Sequence, residues 1–417
     1  MPCAGPSDCH KDVTWAPRLP EAAGDNAKPA DDPAQPVKAP LRIAYYSESA
    51  LPSRTANSVH VMKMCAALAA EGTEVTLYGL KGGEPLAGAR TLYEFYGVPP
   101  SFRIRRTPFY NLRGWRSWTG FIAARHARRA RADVHYGRCM HSVYWAARLG
   151  RPVGFEAHKP FDGVDSRQRR LFGETMRRGK LRQLVVITEA LQRHFSREFR
   201  LSTDCVLVLP DGADLPYPEP GAVGIKHGPR RLRVGYVGHL YPGKGMELIA
   251  QLAEKLPEFD FEVVGGRDID IEGWKGRLAA VRNIRFHGFV PNAATERFRQ
   301  RCDVLLAPYL RTVAMSAGGD IAAWLSPLKL FEYMGSRRPI LCSNLPVLRE
   351  VMRDGENALL CNPDNVASWI AALRRIEADG ALAARLAENA YQDLKNHYTW
   401  NRRARKLLGA LAVLTGA

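Results

Sequence analysis

The stretch LRVGYVGHLYPGKGMELIAQLAEKL, residues 232–256, decides the fold. It opens with an apolar run typical of a buried parallel strand, passes through a glycine-containing turn, and continues as an amphipathic helix over 246–256. Strand, turn and helix in this order begin a β-α-β unit. The stretch therefore predicts a doubly wound parallel sheet with the turn at its carboxyl edge, where such sheets bind ligands.

The same alternation recurs on both sides of this stretch. In the carboxyl-terminal half, strands are predicted at 259–266, 284–290, 303–309 and 339–343. In the amino-terminal half, helices are predicted near 58–71 and 120–132, and strands at 41–48, 74–80, 133–138, 152–158 and 184–189. We therefore expect two doubly wound, Rossmann-like α/β domains that face each other across a cleft.

Composition sets the predicted boundaries. Residues 1–40 are rich in Pro, Ala and Asp without a hydrophobic period, which predicts a disordered arm. The first domain is expected over 41–220 and the second over 231–390, with a linker between them. The helical sequence of 391–417 has too few partners in its own half, so we expect it to cross back to the first domain.

The chain is basic, and its composition argues against several classes of protein. Its eight cysteines are scattered without zinc-ligand spacing, which favours reduced thiols in a cytoplasmic protein. The amino terminus lacks the apolar core of a secretory signal, and no apolar run approaches the roughly 20 residues that span a bilayer. The net charge of +18 suits nucleic acid, anionic lipid or a phosphorylated substrate, and equally a set of basic, solvated helix faces.

The turn from Gly238 to Gly245 has the features of an anion site. It lies between a strand end and a helix N-terminus, where backbone N–H groups and the helix dipole favour negative charge. Its glycines let the backbone approach a ligand closely, and Lys244 adds a positive charge. The turn does not match a Walker loop, and an ordinary turn with a solvated lysine is the alternative.

A second stretch, SPLKLFEYM at 326–334, predicts a helix with a free N-terminus. Ser326 can cap this helix with Pro327 at the first helical position, which leaves backbone N–H groups directed into the cleft. Glu332 lies two turns into the helix, and its two carboxylate oxygens suit the vicinal hydroxyls of a ribose. The alternative is an ion pair between Lys329 and Glu332 on a surface helix.

Together these stretches resemble glycosyltransferase family 4, the retaining enzymes of the GT-B fold. The family's G-[RH]-L-x-x-x-K-G turn is matched by Gly238, His239, Leu240, Lys244 and Gly245. Its P-x-K-x-x-E-x-M segment is matched by Pro327, Lys329, Glu332 and Met334. Further matches are ANSVHVMKMCAALAAEGTEVTL, FEAH, VVITEAL, LPDGADL and YTWNRRARKLL, so the resemblance covers about residues 42–412.

The resemblance implies a donor site for a nucleotide sugar in the second domain. The glycine turn would hold the donor diphosphate and Glu332 the donor ribose. The expected donor-binding residues are Gly238, His239, Lys244, Gly245, Gly288, Val290, Ser326, Pro327, Lys329 and Glu332. No metal or other cofactor is expected, because Lys244, His239 and the helix N-termini can stabilise the departing diphosphate.

In the first domain, Glu156 and His158 end a predicted strand at the edge where ligands bind. The family has a histidine there, near the reacting sugar, so His158 is expected to be catalytic together with Lys244 and Glu332. A satisfied histidine at a capped strand end is the alternative. Four other histidines are interpreted as structural: His60, His135, His141 and His287.

The acceptor is expected to contact Glu156, Arg54 and Asn57. Arg54 and Asn57 belong to the loop 52–58, which stands where the family has a loop that closes over the diphosphate. Either residue can contact the acceptor or a phosphate.

Two departures from the family pattern leave the donor sugar open. Many members carry a second glutamate eight positions before the ribose-binding one, in contact with the sugar; here that position is Trp324. The backbone of Gly318 and Gly319, or Asp320, is the expected substitute. The usual arginine of the turn is His239, which shifts neutralisation of the diphosphate towards Lys244.

Residues 111–133 interleave aromatic residues with arginine. Trp115, Trp118 and Phe121 alternate there with six arginines. Such a helix suits the surface of an anionic membrane, so peripheral contact with its inner face is one interpretation. An ordinary domain helix with a basic outer face is the other.

These observations predict a metal-independent retaining glycosyltransferase. It would move a hexose-type sugar from a nucleotide sugar to a hydroxyl of a saccharide or lipid-linked acceptor, in cell-surface polysaccharide or glycoconjugate biosynthesis. Nucleic acid is not expected as its partner. The alternatives are a nucleotide-sugar epimerase or hydrolase of the same fold, a basic nucleic-acid-binding protein, and a catalytically silent binding partner.

Overall fold

The computed structural model describes residues 39–86, 88–107, 114–161, 166–216, 218–221, 231–314 and 319–415. Residues 1–38 of the predicted arm and Gly318 lie outside this described part of the chain. None of the described helices is long and apolar enough to cross a membrane.

The amino-terminal half contains a parallel sheet of seven strands in the order β3-β2-β1-β4-β5-β6-β7. Its strands are β1 (Arg42–Leu51), β2 (Glu74–Lys81), β3 (Arg103–Thr107), β4 (Val134–Gly137), β5 (Val153–Ala157), β6 (Leu181–Val186) and β7 (Val206–Val208). Its helices are α1 (Ala56–Ala70), α2 (Leu92–Tyr96), α3 (Trp115–Arg129), α4 (Met140–Arg148), α5 (Ser166–Arg177) and α6 (Glu189–Phe199).

The carboxyl-terminal half contains a parallel sheet of six strands in the order β10-β9-β8-β11-β12-β13. Its strands are β8 (Arg233–Val237), β9 (Asp260–Val264), β10 (Ile284–Phe286), β11 (Val304–Ala307), β12 (Ile340–Ser343) and β13 (Leu359–Cys361). The helices are α7 (Met246–Lys255), α8 (Asp268–Arg277), α9 (Asn292–Arg301), α10 (Leu328–Gly335), α11 (Val366–Ala378), α12 (Gly380–Asp393) and α13 (Trp400–Leu411).

Both sheets bury apolar side chains on their two faces, as doubly wound sheets do. Along β1, Ile43 and Tyr45 belong to one buried cluster, whereas Ala44 and Tyr46 belong to another. Successive strand residues point to opposite faces, so the two clusters lie on opposite sides of the sheet. The prediction of two doubly wound α/β domains is confirmed.

The crossing of the carboxyl-terminal helix is also confirmed. α13 packs on α1, and Leu407 and Leu411 lie in the core of the first sheet with Trp400. This burial gives the helix the apolar partners that its own half does not provide.

Three strands escaped prediction, and each is short or lies at an edge. β3, with the sequence RIRRT, and β7, within a segment interpreted as turns, are the two edge strands of the first sheet. β13 is a three-residue edge strand of the second. Edge strands bury less apolar surface, so their periodicity is weak. The helix predicted at 120–132 begins earlier, at Trp115, and ends at Arg129.

Candidate active site

The glycine turn after β8 brings the two predicted donor stretches into contact. A Cβ atom added to Gly238 would lie 2.9 Å from Nζ of Lys329, which is a residue of α10. At the other end of the turn Gly245 has φ 95° and precedes α7, and a Cβ there would lie 2.0 Å from the carbonyl oxygen of Pro308. Glycine therefore allows the backbone to pass directly beside the tip of Lys329.

Lys329 and Lys244 form a pair of ammonium groups around one tyrosine ring. Their Nζ atoms lie 4.9 and 5.1 Å from the ring centre of Tyr309, and Nζ of Lys329 also lies 3.9 Å from that of Tyr236. Nζ of Lys329 is buried and has no hydrogen-bond partner among the described residues. The alternative of a Lys329–Glu332 ion pair is therefore wrong.

Burial disfavours the protonated form of both lysines as long as no anion is bound. It lowers the pKa of Lys244 to about 8. It also lowers the pKa of Lys329 well below its ordinary value, and the charge of Lys244 adds to that effect. Two confined cations without a carboxylate partner gain when a diphosphate supplies the missing negative charge.

The N-terminus of α10 differs from its prediction in detail. The helix begins at Leu328 and its capping position is Pro327, which has no side-chain hydrogen bond to offer. The hydroxyl of Ser326 instead accepts a hydrogen bond from the backbone N–H of Asp211, in the first domain, at 3.0 Å. Neither α10 nor α7, which follows Gly245, has a side-chain cap, so both leave first-turn N–H groups for an anion.

Glu332 is oriented by two residues of α9. Asn292 donates from Nδ2 to Oε1 at 2.8 Å, and Arg299 donates to Oε2 at 3.3 Å. Each oxygen keeps a lone pair, so the carboxylate can still accept two hydroxyls of a ribose. A cavity of about 810 Å³ opens beside Glu332 and Asn292, which is large enough for a small ligand.

The loop before α1 touches the second domain through Arg54. His239 donates from Nε2 to the backbone carbonyl of Arg54 at 3.1 Å, and the Arg54 guanidinium lies 3.8 Å from the ring centre of Phe289. Burial lowers the pKa of His239, so this ring contributes a hydrogen bond rather than a charge. Positive charge at the turn therefore depends on Lys244 and Lys329, whose protonated forms a bound anion would favour.

Three further predicted residues, Gly288, Val290 and Asn57, lie close in the chain to the residues of this contact. Gly288 and Val290 flank Phe289, and the carbonyl of Gly288 accepts a hydrogen bond from Gly265 N–H at 2.7 Å. Asn57 lies in the first turn of α1, where its Oδ1 is buried without a hydrogen-bond partner among the described residues. Their ligand contacts stay predictions.

Glu156 has a different role from the predicted acceptor contact. It is 1% exposed at the end of β5, and its Oε1 accepts from His158 Nε2 at 2.6 Å and from Arg403 at 2.7 Å. The hydroxyl of Tyr136 donates to the other oxygen. A buried carboxylate with three donors cannot reach an acceptor molecule, so Glu156 instead positions His158.

The hydrogen bond that His158 donates to Glu156 also decides which nitrogen of His158 is free to accept a hydrogen bond from substrate. Burial would raise the pKa of Glu156, but the charge of Arg403, followed by that of His60, holds it well below its usual range. Burial, aided by the charge of Arg138, lowers the pKa of His158 to about 3. The neutral ring therefore donates from Nε2, and its acceptor lone pair is on Nδ1.

His60 was interpreted as structural from the sequence, but it lies at the centre of a polar cluster with Glu156, His158 and Asp211. Its Nδ1 is 2.7 Å from Asp211 Oδ1, its Nε2 is 3.1 Å from Glu156 Oε1, and its ring meets that of His158 edge to face at 4.8 Å. Through the bond from Asp211 to Ser326, polar contacts run from His158 to the start of α10. The only sequence signal for His60 is its place early in α1, the helix that begins at the carboxyl edge of the first sheet.

The same cluster has the composition of a metal site. His60, His158 and Asp211 offer ligand atoms within 4.8 Å of one another. His60 Nδ1 is hydrogen-bonded to Asp211 and His158 Nε2 to Glu156, whereas His60 Nε2 has no hydrogen-bond partner among the described residues. Arg403 adds a positive charge beside Glu156, and the absence of a metal from this cluster stays a prediction.

Trp324 is committed to packing between the two domains. Its ring meets that of His194, on α6, edge to face at 5.2 Å, and it packs against the core of the first sheet. Asp320 accepts backbone hydrogen bonds at Oδ1 from Val313 and Ala322, which ties that oxygen to its own loop. Trp324 is thus a packing residue, whereas contacts of Asp320 or of the Gly319 backbone with a donor sugar stay predictions.

Sequence comparison finds two family profiles on this chain. "Glycosyltransferase Family 4" matches residues 58–217, and "Glycosyl transferases group 1" matches residues 231–379. A D-inositol 3-phosphate glycosyltransferase of Stackebrandtia nassauensis is 28% identical over 260 residues, which is 55% of each chain. A phosphatidyl-myo-inositol mannosyltransferase of Mycobacterium tuberculosis is 31% identical over 147 residues, 34% of each. The chain thus spans about half the length, or less, of these relatives.

Structure comparison supports the same fold. Anabaena HepE, crystallised with UDP and glucose, superimposes with a TM-score of 0.66 at 16% identity, covering 89% of this chain and 99% of HepE. This likeness confirms the predicted GT-B architecture and, at such low identity, no more than the architecture.

Proposed function

The chain belongs to glycosyltransferase family 4, and we propose that it transfers a hexose-type sugar from a nucleotide sugar to an acceptor hydroxyl, with retention and without a metal. The observation that carries the proposal is a pair of neighbouring lysines that lack an anionic partner among the described residues. They lie beside the glycine turn and the uncapped N-terminus of α10. When the bond between the sugar and the diphosphate breaks, negative charge develops on the phosphate oxygens. Lys244, Lys329 and the first-turn N–H groups are placed to stabilise it.

The proposed transfer needs no base from the protein. The acceptor oxygen bonds to the anomeric carbon from the face that the diphosphate leaves, and the departing phosphate takes the acceptor proton. His158, with its Nδ1 lone pair, holds a sugar hydroxyl in place. Packing of the loop before α1 against the second domain would exclude water and limit hydrolysis.

The names of two relatives support a proposal for the class of acceptor. Inositol phosphate and phosphatidyl-inositol are both polyols that carry phosphate. We propose a saccharide or lipid-linked polyol as acceptor, and a role at the cytoplasmic face in glycoconjugate or polysaccharide synthesis.

A transfer assay separates this proposal from its rivals. UDP-, GDP- and ADP-sugars are first ranked by the rise in melting temperature that each produces, because a ligand of the folded state stabilises it. The best donor is then incubated with and without polyol and saccharide acceptors. Formation of a glycoside only with acceptor supports transfer, whereas an epimer or free sugar without acceptor would indicate an epimerase or hydrolase.

Replacing Glu332 with Ala is expected to abolish discrimination between ribose and deoxyribose. The wild type should bind the preferred nucleoside diphosphate about 10- to 100-fold more tightly than its 2′-deoxy form, because hydrogen bonds to a charged group are worth about 1.5–3 kcal/mol. Calorimetric titration of both ligands checks this. Glu272→Ala, on the exposed face of α8, is the control. Undiminished discrimination by Glu332→Ala would remove Glu332 from the ribose site.

Peripheral membrane contact is proposed through α3 and its neighbours. Residues 114–180 carry fifteen Lys and Arg against five Asp and Glu, more than half of the net charge of +18. α3 has four arginines and no acidic residue, and it exposes 59% of Trp118 and 38% of Ile122. Exposed apolar residues surrounded by arginine favour an anionic lipid surface over a purely electrostatic partner.

Vesicle flotation tests this contact. The protein should float with vesicles of phosphatidylcholine and phosphatidylglycerol but not with phosphatidylcholine alone, and Trp118→Ala with Ile122→Ser should lose most of the bound fraction. Ile269→Ser is the matched control, since Ile269 is 76% exposed on α8. Equal flotation of all variants would exclude α3 as a lipid-binding surface. The same conclusion would follow if the protein bound nucleic acid but floated with neither kind of vesicle.

A further inference from the structure

The carboxyl-terminal helix α13 places a buried arginine, Arg403, beside Glu156 of the first domain. Arg403 on α13 is 3% exposed and donates to Glu156 Oε1 at 2.7 Å. It is held there by hydrogen bonds to the backbone carbonyls of Pro210 at 2.9 Å and Leu209 at 3.2 Å. The apolar face of α13 packs in the core of the first sheet, which holds the helix that carries Arg403 in place.

Glu156 needs this guanidinium to stay ionised. A carboxylate that is 1% exposed would otherwise take up a proton, or would force a proton onto a neighbouring imidazole. His158 and His60 both lie within hydrogen-bond distance of Glu156 Oε1, at 2.6 and 3.1 Å. The charge of Arg403 therefore bears on the protonation of His158 through Glu156. It acts beside burial and the charge of Arg138, which lower the pKa of His158, and beside Asp211, which is hydrogen-bonded to His60.

We propose that Arg403 is a positioning residue for the transfer reaction: through Glu156 it keeps His158 neutral, with the proton on Nε2 and the lone pair on Nδ1 available to substrate. This inference rests on the proposed function for its kinetic consequence, but the state of His158 can be measured without turnover. Removal of Arg403 leaves Glu156 as an uncompensated charge, which favours an imidazolium at His158. An imidazolium donates from both nitrogens and can no longer accept a hydroxyl proton at Nδ1.

Three variants of the full-length chain test the proposal. Arg403→Met removes the charge, Arg403→Lys restores it with fewer hydrogen bonds, and Arg403→Met with Glu156→Gln leaves the pair neutral so that no buried charge threatens the fold. Arg405→Met is the control on the same helix, since Arg405 is exposed and pairs with Glu71. Melting temperatures report whether each variant is folded.

The first readout is the state of His158 in ¹⁵N-histidine-labelled protein. The wild type should show a neutral ring protonated at Nε2 throughout the range from pH 6 to 8. Arg403→Met should show protonation of both nitrogens within that range, whereas the double variant and Arg405→Met should keep a neutral ring. An unchanged His158 in a folded Arg403→Met protein would overturn the proposal.

The second readout is the split between kcat and KM. Arg403→Met should lower kcat by roughly 10- to 100-fold with little change in the KM of the donor, and the double variant and Arg403→Lys should each recover part of the loss. A loss that follows only the melting temperature would assign Arg403 a structural role. If the wild type transfers no sugar from any donor, the proposed function fails, while the ¹⁵N result still decides what Arg403 does.

Discussion

Lys244→Ala is expected to lower sugar transfer by about 100- to 1000-fold, the usual cost of losing one group that stabilises charge in a transition state. Lys244 has no ion-pair partner among the described residues, and its charge acts on a second lysine, Lys329. Its removal should therefore leave the ligand-free protein as stable as before, or slightly more so. Initial rates at saturating donor and a melting curve measure the two quantities separately.

A control variant and the pH dependence of binding test whether the effect of Lys244→Ala comes from the charge of Lys244. Lys275→Ala removes an exposed lysine that pairs with Glu272 and should change neither quantity. Because burial lowers the pKa of Lys244 to about 8, the ligand-free lysine is half deprotonated near that pH and loses the rest of its charge as the pH rises further. Affinity for a nucleoside diphosphate should fall above about pH 8 in the wild type and less steeply in Lys244→Arg, since arginine stays charged. Transfer by Lys244→Ala at the wild-type rate would exclude Lys244 from the donor site.

The parts of the site that the sequence predicted are those fixed by local structure. The order of strand, glycine turn and helix at 232–256 predicts an anion site because each part is specified by residues close in the chain. The same holds for the helix that carries Lys329 and Glu332. Residues of one helix three positions apart face one side, so their common orientation needs no knowledge of the fold.

The parts that sequence reasoning missed depend on contacts between distant residues. Arg403 and Glu156 are 247 positions apart, and only the crossing of α13 brings them together. Ser326 was expected to cap its own helix, but its hydroxyl instead accepts a hydrogen bond from the backbone N–H of Asp211 in the first domain. His60 looked like an ordinary residue of an amphipathic helix because the carboxylates on either side of it come from β5 and the 209–216 segment.

Lys329→Met should raise stability and destroy function in the same protein. Met has nearly the length of Lys without its charge, and Nζ of Lys329 is buried against Tyr236 and Tyr309 without a hydrogen bond. On folding, Lys329 must either lose its proton or bury an unpaired charge, so its replacement is expected to stabilise the ligand-free fold by about 1–3 kcal/mol, or a few degrees in melting temperature. Loss of the ammonium beside Gly238 should weaken binding of the donor diphosphate at least about 100-fold.

The pH dependence of this gain gives an independent check on its cause. The folded-state pKa of Lys329 lies well below that of the unfolded chain, so the unfolded chain binds the proton more readily between those two values. Wild-type stability should therefore rise with pH through this window, and the advantage of Lys329→Met should be largest below it and shrink as the pH increases. In the presence of a nucleoside diphosphate the order reverses, because only the wild type is stabilised by the ligand. If Lys329→Met were less stable than the wild type without ligand, Lys329 would have a structural partner and the lysine pair could not be an anion site held open by the fold.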